Sequence, residues 1–254
     1  MTPGRAGLAL DVAGAGPAYT DRPGAAGAAY LVRHETDALL LDLGQGAFTN
    51  LAGLIEPSTL TAVAISHLHP DHFIDLVPLR HYLRYEFDPR RRVTVIGPAG
   101  LEGRLDALHG QPGFAAAALD LEHLRPGVRR VGGLMLEAAR VRHTEDSHAF
   151  RVAVGDGPGL VYSGDCAVAD DLRPLIRPGD TLLAEATYGP DPVAPGSNHL
   201  NAQDVAGLAA DTGVARLMLT HILMGRDRFR AITAAAEITS APVEIVDPGD
   251  HFDL

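Results

Sequence analysis

A short stretch of the sequence places four side chains that bind metal ions within six positions. The segment 65–72 reads ISHLHPDH and contains the pattern His-x-His-x-Asp-His. Residues two apart on an extended chain project to the same side, so His67 and His69 can share one ion. A proline then turns the chain, so that Asp71 and His72 point elsewhere and suit a second ion. Imidazole and carboxylate groups fit Zn²⁺, Mn²⁺ or Fe.

Three later apolar segments are also followed by a histidine or an aspartate. These segments read as strands, and the residues that follow them are His143, Asp165 and His221. Strand ends carry the site in α/β proteins, so we expect these three side chains to converge with the first cluster. An isolated histidine is usually structural, as we expect for the others outside these segments. The combined set predicts a metal site.

The elements that must position these residues are short strands alternating with helices. Apolar, often β-branched runs of about four to six residues recur along the chain, and each is closed by glycine, proline or polar residues. The patterns at 71–84, 201–213 and 226–238 predict helices. In the second of these, Asn201 can cap the start and Gly213 can end the helix. We expect one α/β domain over residues 1–254.

Composition narrows the class of partner. The chain has 254 residues and a net charge of −11, and its best basic cluster is Arg90–Arg92. Proteins that bind nucleic acid through phosphate contacts usually carry more positive charge, so we expect a small-molecule substrate. In the predicted helix at 71–84, Arg80 and Arg84 face either a phosphate or, more simply, solvent.

The sequence shows no pattern typical of a signal peptide or a membrane span, which bears on where in the cell the protein is expected. We expect no signal peptide in the glycine-broken stretch at the N-terminus, and no apolar run approaches the ~18–20 residues of a membrane span. The expectation is a cytoplasmic protein without membrane contact. The single cysteine, Cys166, follows Asp165 directly; we expect a buried structural residue that points away from the metal site.

The combined pattern resembles the metallo-β-lactamase superfamily over nearly the whole chain. That resemblance implies a four-layer αββα sandwich with two divalent ions at one edge, Zn²⁺ first and Mn²⁺ or Fe as alternatives. The motif DLGQGA at 42–47 is similar to an Asp-x-Gly-x-Gly turn of this superfamily. Glycines there let the backbone approach the site closely.

The resemblance also divides the ligands between the two ions. It implies that the first ion binds His67, His69 and His143. It implies that the second ion binds Asp71, His72 and His221, and that Asp165 bridges both. A water or hydroxide between the ions is the implied nucleophile, and Asp71 is implied to orient it.

Two further segments resemble the RNase Z branch of the superfamily, which processes tRNA 3′ ends. LAEAT at 183–187 is similar to its His-Glu-Ala-Thr segment, and NHLNA at 198–202 is similar to its His-Ser-Thr-Ala segment. Carried over, Glu185 orients His199, which protonates the leaving oxygen or binds the phosphate. Ala184 departs from the first pattern, and Leu-Asn replaces Ser-Thr in the second.

One interval separates this chain from the RNase Z enzymes themselves. His143 and Asp165 are only 22 positions apart, where those enzymes typically carry an arm that grips tRNA. The interval has room for two strands and a turn. We therefore expect a metal-dependent hydrolase, and a phosphodiesterase for small phosphodiesters first, because SHLHPDHFIDLVPLRHYLRY also resembles atypical cyclic-nucleotide phosphodiesterases.

Other functions remain open at this point. The same site could serve a carboxyl-type hydrolase for lactones, thioesters or sulfate esters, or a metal-binding module without catalysis. A tRNA 3′-processing endonuclease is disfavoured by the short interval and by the acidic charge. A homodimer is implied by the resemblance alone.

Overall fold

Two β-sheets packed face to face form the centre of the molecule. The computed structural model describes residues 7–20, 22 and 24–254. Within them the strands are β1 (Ala9–Gly14), β2 (Ala29–His34), β3 (Asp37–Leu41), β4 (Ala62–Ala64), β5 (Val93–Gly97), β6 (Leu119–His123), β7 (Gly127–Val131), β8 (Leu134–Arg140), β9 (His148–Ala153), β10 (Gly159–Tyr162), β11 (Thr181–Glu185), β12 (Arg216–Thr220), β13 (Val243–Ile245) and β14 (His251–Asp253). The prediction of one domain over residues 1–254 includes residues 1–6, which lie outside the described part.

The order of the strands brings the ends of several parallel strands to one edge. The first sheet runs β14-β1-β2-β3-β4-β5-β6, and the second runs β13-β12-β11-β10-β9-β8-β7. Strands β3 to β6 are parallel to one another, as are β10 to β13. Strand β9 pairs antiparallel with both of its neighbours, β8 and β10. The carboxyl ends of β8, β10 and β12 therefore lie at the same edge of the second sheet.

Helices cover the outer face of each sheet. They are α1 (Ala47–Leu54), α2 (Pro70–Phe73), α3 (Leu76–Tyr85), α4 (Leu101–His109), α5 (Ala202–Thr212) and α6 (Arg228–Ala236). Leu79 of α3 packs with Leu40 on the first sheet, and Val205 of α5 packs in the cluster behind the second sheet. A third cluster, which includes Phe150 and Tyr162, fills the space between the sheets. These layers confirm the predicted αββα sandwich.

The predicted helix at 71–84 is wrong as a single element. The chain forms the short helix α2, then turns at Ile74 and Asp75 before α3 begins. The Asp75 carboxylate accepts a hydrogen bond from the Phe48 amide at 2.9 Å, and the Asp75 amide donates to the Leu43 carbonyl at 3.1 Å. These hydrogen bonds to loops of the first sheet replace those that a continuous helix would make at Asp75, so the helix is interrupted there. Pro78 falls in the first turn of α3, where its missing N–H costs no hydrogen bond.

The helix predicted at 201–213 is confirmed together with its caps. The Asn201 side chain accepts a hydrogen bond from the Asp204 amide at 2.8 Å, and Gly213 ends α5 with a left-handed φ of 68°. The third predicted helix is shorter than 226–238, because Asp227 caps its start and α6 ends at Ala236.

The interval between two candidate ligands folds as predicted. Strands β9 and β10 form an antiparallel hairpin, with Phe150 paired to Tyr162 and Ala153 paired to Gly159. The turn that joins them is five residues long. It lies in the interval between His143 and Asp165, where RNase Z enzymes typically carry their tRNA-gripping arm. None of the helices in the described residues has the length and apolar character needed to cross a bilayer.

Candidate metal centre

Five of the candidate ligands lie in loops that follow strands, and the other two, Asp71 and His72, lie in the short helix α2. Three of them stand three positions beyond the last residue of their strand: His67 after β4, His143 after β8 and Asp165 after β10. His221 follows β12 directly. Strands β4 and β8 thus end two residues before the ends of the apolar segments that lead into His67 and His143. Each strand fixes where its loop begins, and the loop backbone turns so that the donor atom of the ligand points toward the site.

The first ligand group contains His67, His69, His143 and Asp165, whose donor atoms all lie within 4.8 Å of one another. The Nε2 atom of His143 is 3.1 Å from Nδ1 of His69. The Oδ2 atom of Asp165 is 3.7 Å from Nε2 of His67 and 3.6 Å from Nε2 of His143. His69 is exposed, so this group opens to solvent.

The second ligand group contains Asp71, His72, Asp165 and His221, and all four residues are buried. The Oδ1 atom of Asp165 is 3.3 Å from Nε2 of His72 and 3.5 Å from Nε2 of His221. His221 Nε2 is also 3.2 Å from Oδ2 of Asp71. Asp165 therefore directs one carboxylate oxygen into each group. The structure brings all seven predicted ligands together; their role as ligands stays a prediction.

The unpaired atoms at the centre fit divalent ions. The buried atoms His67 Nε2, His72 Nε2 and Asp165 Oδ1 have no hydrogen-bond partner within the described part of the chain. Buried polar atoms without partners are costly in proteins, so their convergence indicates a missing partner that accepts lone pairs. Three or four imidazole and carboxylate donors in each group suit Zn²⁺, and Mn²⁺ or Fe as alternatives.

Electrostatics within the cluster separates the two groups. Burial lowers the pKa of His67 and of His69, and neighbouring imidazoles add to this effect. Burial alone would also lower the pKa of His72, but the carboxylates of Asp165 and Asp42 raise it well above its usual range. Likewise, His221 and His72 hold the pKa of Asp165 well below its usual range although burial opposes this.

Asp42 supports the second group from below. Its buried carboxylate lies 2.7 Å from Nδ1 of His72 and accepts hydrogen bonds from the Ser66 amide and hydroxyl and from the Tyr162 hydroxyl, at 2.6, 2.7 and 2.7 Å. A carboxylate accepts only, so His72 Nδ1 must carry a proton and Nε2 presents its lone pair. Sequence reasoning missed this role, although Asp42 opens the DLGQGA motif.

Two ligand-side residues adopt a backbone conformation that is unusual for residues other than glycine. Asp42 has φ of 59° and His221 has φ of 58°. Backbone hydrogen bonds from Asp42 to Ala64, at 2.8 Å, and from His221 to Ala15, at 3.0 Å, hold these conformations. Such strain persists only where the surroundings enforce it, and here it lies at the candidate site.

The glycine-rich turn predicted near the site brings the backbone close to Asp71. A Cβ at Gly44 would overlap the Asp71 carbonyl oxygen. That oxygen instead accepts a hydrogen bond from the Ala28 amide at 3.0 Å. The absence of a side chain at Gly44 therefore lets the first sheet's loop fix the position of the Asp71 backbone.

Glu185 and His199 pair as predicted. Glu185 Oε1 is 2.9 Å from Nδ1 of His199 and accepts a hydrogen bond from the Cys166 amide at 2.8 Å. His199 Nδ1 is 3.9 Å from Asp165 Oδ2, so the pair lies beside both ligand groups. The His199 side chain is 26% exposed. Burial would lower the pKa of His199, but the hydrogen bond and charge of Glu185 raise it.

The loop that carries His199 also holds a candidate ligand. His143 Nδ1 donates to the Asn198 carbonyl oxygen at 2.8 Å, and the Asn198 side chain donates back to the His143 carbonyl at 3.2 Å. Nδ1 must carry the proton in this bond, which leaves Nε2 to face the first group. The sequence contained no signal for this contact beyond the adjacency of Asn198 to His199.

Two secondary expectations need correction or refinement. Arg80 neither reaches a phosphate nor faces solvent: it is 5% exposed, donates to the Phe114 carbonyl at 2.8 Å and lies over the Phe114 ring. A partner distant in sequence thus decides its position. Cys166 is buried as expected, in the apolar cluster behind the second sheet, but in a loop beyond β10 rather than on a strand.

Comparisons with known proteins agree with this geometry. The family described as "Beta-lactamase superfamily domain" matches residues 37–222. An uncharacterized protein of Mycobacterium leprae is 32% identical over 239 residues, covering 91% of this chain and 84% of that protein. A ribonuclease Z of Methanosarcina acetivorans is 23% identical, covering 76% of this chain and 81% of that protein.

Solved structures show the same fold at lower identity. The metallo-β-lactamase fold protein YhfI of Bacillus subtilis superimposes with a TM-score of 0.87 at 21% identity, covering 98% of this chain and 100% of that one. A diphosphatase of the PhnP family gives a TM-score of 0.75 at 16% identity, covering 97% and 98%. Its relatives are consistent with an RNase Z-like branch, and the chain belongs to the β-lactamase superfamily of metallo-hydrolases.

Proposed function

We propose that the protein is a phosphodiesterase that hydrolyses small phosphodiesters such as cyclic nucleotides. The observation that carries this proposal is the Glu185–His199 pair, because phosphodiester hydrolysis releases an alkoxide that needs a proton. A thioester site has less need of such a donor, because a thiolate leaves without a proton; a lactone also releases an alkoxide, and the substrate panel below separates that case. The names of two similar proteins, a diphosphatase and a ribonuclease, also denote action on phosphorus–oxygen bonds.

The proposed chemistry assigns one task to each group of residues. Two divalent ions, which the ligand groups would hold, would supply Lewis-acid chemistry and lower the pKa of the attacking water. Asp71, whose carboxylate lies 3.2 Å from His221 Nε2 among the candidate ligands, would orient the attacking water in line with the leaving oxygen. The bond to the leaving oxygen then breaks, and His199 supplies the proton from its Nε2 atom.

The hairpin β9–β10 supports a small substrate. With a five-residue turn between His143 and Asp165, this part of the chain offers no arm to grip a folded RNA. The net charge of −11 also opposes a large polyanionic partner. The first ligand group is open to solvent at the exposed His69. This opening suits a small substrate whose phosphate can reach the group without a large molecule docking around it.

Leaving-group dependence tests the proposal. Zn²⁺- or Mn²⁺-loaded protein is assayed with cyclic AMP, bis-(p-nitrophenyl) phosphate, a homoserine lactone and a precursor tRNA. A His199→Ala variant should lose about 10²- to 10⁴-fold in kcat on cyclic AMP but far less on the nitrophenyl ester, whose leaving group departs without a proton. His109→Ala, on the exposed end of α4, serves as the matched control.

Each contrary outcome selects another function. Turnover of the lactone with no hydrolysis of either phosphodiester would contradict the proposal and indicate a carboxyl-type hydrolase. Cleavage restricted to the precursor tRNA would indicate an endonuclease. Equal losses on both phosphodiesters in His199→Ala would remove His199 as the proton donor.

A further inference from the structure

The hydroxyl of Thr187 lies at the meeting point of the two parts of the candidate site. Thr187 stands two positions beyond β11 and is 5% exposed. Its Oγ1 atom is 2.6 Å from Oε2 of Glu185 and 2.9 Å from Nδ1 of His221. Oγ1 is also 3.3 Å from Nδ1 of His199. No other hydroxyl of the described chain contacts both a candidate ligand and the Glu185–His199 pair.

The protons in this cluster can be assigned from valence alone. A carboxylate accepts only, so the single hydroxyl proton of Thr187 points to Glu185. Oγ1 then has only lone pairs left, and the short contact to His221 requires a proton on Nδ1 of that ring. The remaining nitrogen of His221, Nε2, must carry the lone pair that faces the second ligand group.

We propose that Thr187 is a positioning residue, which fixes the ring of His221 for metal binding and ties it to the Glu185–His199 pair. The link to the Glu185–His199 pair rests on the proposed function, because only a hydrolase needs His199. Ligand histidines generally donate their other ring N–H to a partner that sets tautomer and orientation. For His221 that partner is Thr187, as Asp42 is for His72.

Surrounding contacts keep the hydroxyl in place. The Thr187 carbonyl accepts a hydrogen bond from the Leu223 amide at 3.2 Å, and the neighbouring Ala186 amide donates to the Thr220 carbonyl at 2.9 Å, so the chain is held on both sides of His221. Glu185 is 1% exposed and uses its second oxygen for His199. One carboxylate thus orients the proton donor directly and a candidate ligand through Thr187.

An alternative use of the same atoms is a third ion. Glu185, His199 and His221 have donor atoms within 4.8 Å of one another. The Thr187 hydroxyl occupies the space where those donors converge and satisfies two of them. We therefore assign the hydrogen-bonded arrangement rather than an ion to this position, and metal stoichiometry above two per chain would oppose it.

Zn²⁺ binding without substrate tests the inference. Thr187→Val keeps the shape but leaves the His221 Nδ1–H without an acceptor, whereas Thr187→Ser restores the hydroxyl. Both are made in a His69→Ala background, which disables the first group so that the remaining ion reports on the second. We expect Thr187→Val to weaken Zn²⁺ about 10- to 100-fold in chelator competition, and Thr187→Ser to stay within about threefold.

Controls separate positioning from folding and from function. Thr239→Val removes another buried threonine hydroxyl, which accepts from the Ala241 amide far from the site, and should leave Zn²⁺ affinity unchanged. Unchanged affinity in Thr187→Val would overturn the inference. So would a loss that Thr187→Ser fails to restore, because that indicates a packing role. Since no substrate is used, failure of phosphodiester hydrolysis leaves this result intact.

Discussion

The two ligand groups share Asp165 yet differ in how firmly the protein holds them. In the second group all four residues are buried, and two of its histidines are anchored by side chains, His72 by Asp42 and His221 by Thr187. The first group includes the exposed His69, and His143 is anchored by the backbone of the loop at Asn198. The second group is therefore fully enclosed and its histidines are held by side chains. The first group combines the buried His67, whose Nδ1 lies 3.1 Å from the Ser66 hydroxyl, with two histidines nearer the surface.

This difference suggests a division of labour. A buried, pre-oriented group suits tight binding, and an open group next to His199 suits contact with substrate. His199, the proposed proton donor, and Asn198, whose carbonyl contacts the candidate ligand His143, are neighbours in the same loop. Movement of this loop would therefore change both together.

The largest effect should come from the residue that both groups share. Asp165→Asn removes the charge and replaces one of the two carboxylate oxygens that face the groups with an amide nitrogen, which has no lone pair for an ion. We expect fewer than one ion per chain by elemental analysis and a loss of hydrolysis of about a thousandfold or more. Retention of two ions would show that Asp165 is not the bridge.

Removing one anchor from each group should expose their asymmetry. Asp42→Asn takes the acceptor from His72 and should weaken the second ion about 10- to 100-fold. Buried donors left without partners should also cost about 1–3 kcal/mol each in unfolding free energy. Asn198→Ala keeps the carbonyl that accepts from His143, so it should weaken the first ion by about tenfold or less. Calorimetric titration with Zn²⁺ measures both; equal losses would contradict the comparison.

Acid should empty the two groups at different pH. A ligand histidine must be neutral, and the pKa values of His72 and His221 are raised, whereas those of His67 and His69 are lowered. As pH falls, protons should displace the second ion first, beginning above 6.5, the usual histidine pKa. Zn²⁺ per chain after dialysis between pH 8 and 5.5 measures the order.

The same shifts act on the metal-free protein with a defined sign. Raised pKa values of His72 and His221 stabilise the fold when these rings are protonated. That contribution is complete below their unfolded pKa and is lost as pH rises through the folded values. Denaturant unfolding of the metal-free chain across this range should therefore show stability declining above about pH 6.5 unless Zn²⁺ is added.

The smallest effect should follow change at Cys166, beneath the shared aspartate. Its backbone amide, not its thiol, supports Glu185. Burial raises the pKa of the thiol to about 12, so it should react slowly with iodoacetamide in the native protein. Cys166→Ala should keep two ions and near-normal activity. Rapid alkylation that releases an ion would place the thiol in the site after all.

Local patterns in the sequence predicted which seven residues converge and much of the two sheets, while the role of these residues as ligands stays a prediction. His-x-His-x-Asp-His lies in one segment, and the other ligands follow β-branched runs, so periodicity and chain turns sufficed. Helix α5 was predictable because Asn201 and Gly213 cap it locally. In each case the determining interactions lie within a few residues of one another.

Features that depend on distant partners escaped prediction. Strand β1 contains Asp11, a polar residue that reads as a break, yet Arg33 and His251 pair with it across the sheet. Short β14 and the charged strands β6 and β7 carry weak patterns, and helices α1 and α4 were also missed. The roles of Asp42 and Thr187 rest on contacts 30 and 34 positions away along the chain.

The position of the ligand groups at the seam between the sheets has a mechanical consequence. Asp71 and His72 come from helix α2, which follows strand β4 of the first sheet, whereas Asp165 and His221 come from loops of the second. An ion bound there would cross-link the two sheets, and its binding free energy would add to the free energy of unfolding. At 100 times its dissociation constant this amounts to about 2.7 kcal/mol per ion. A chelator would then loosen the two halves of the fold as well as silence the site.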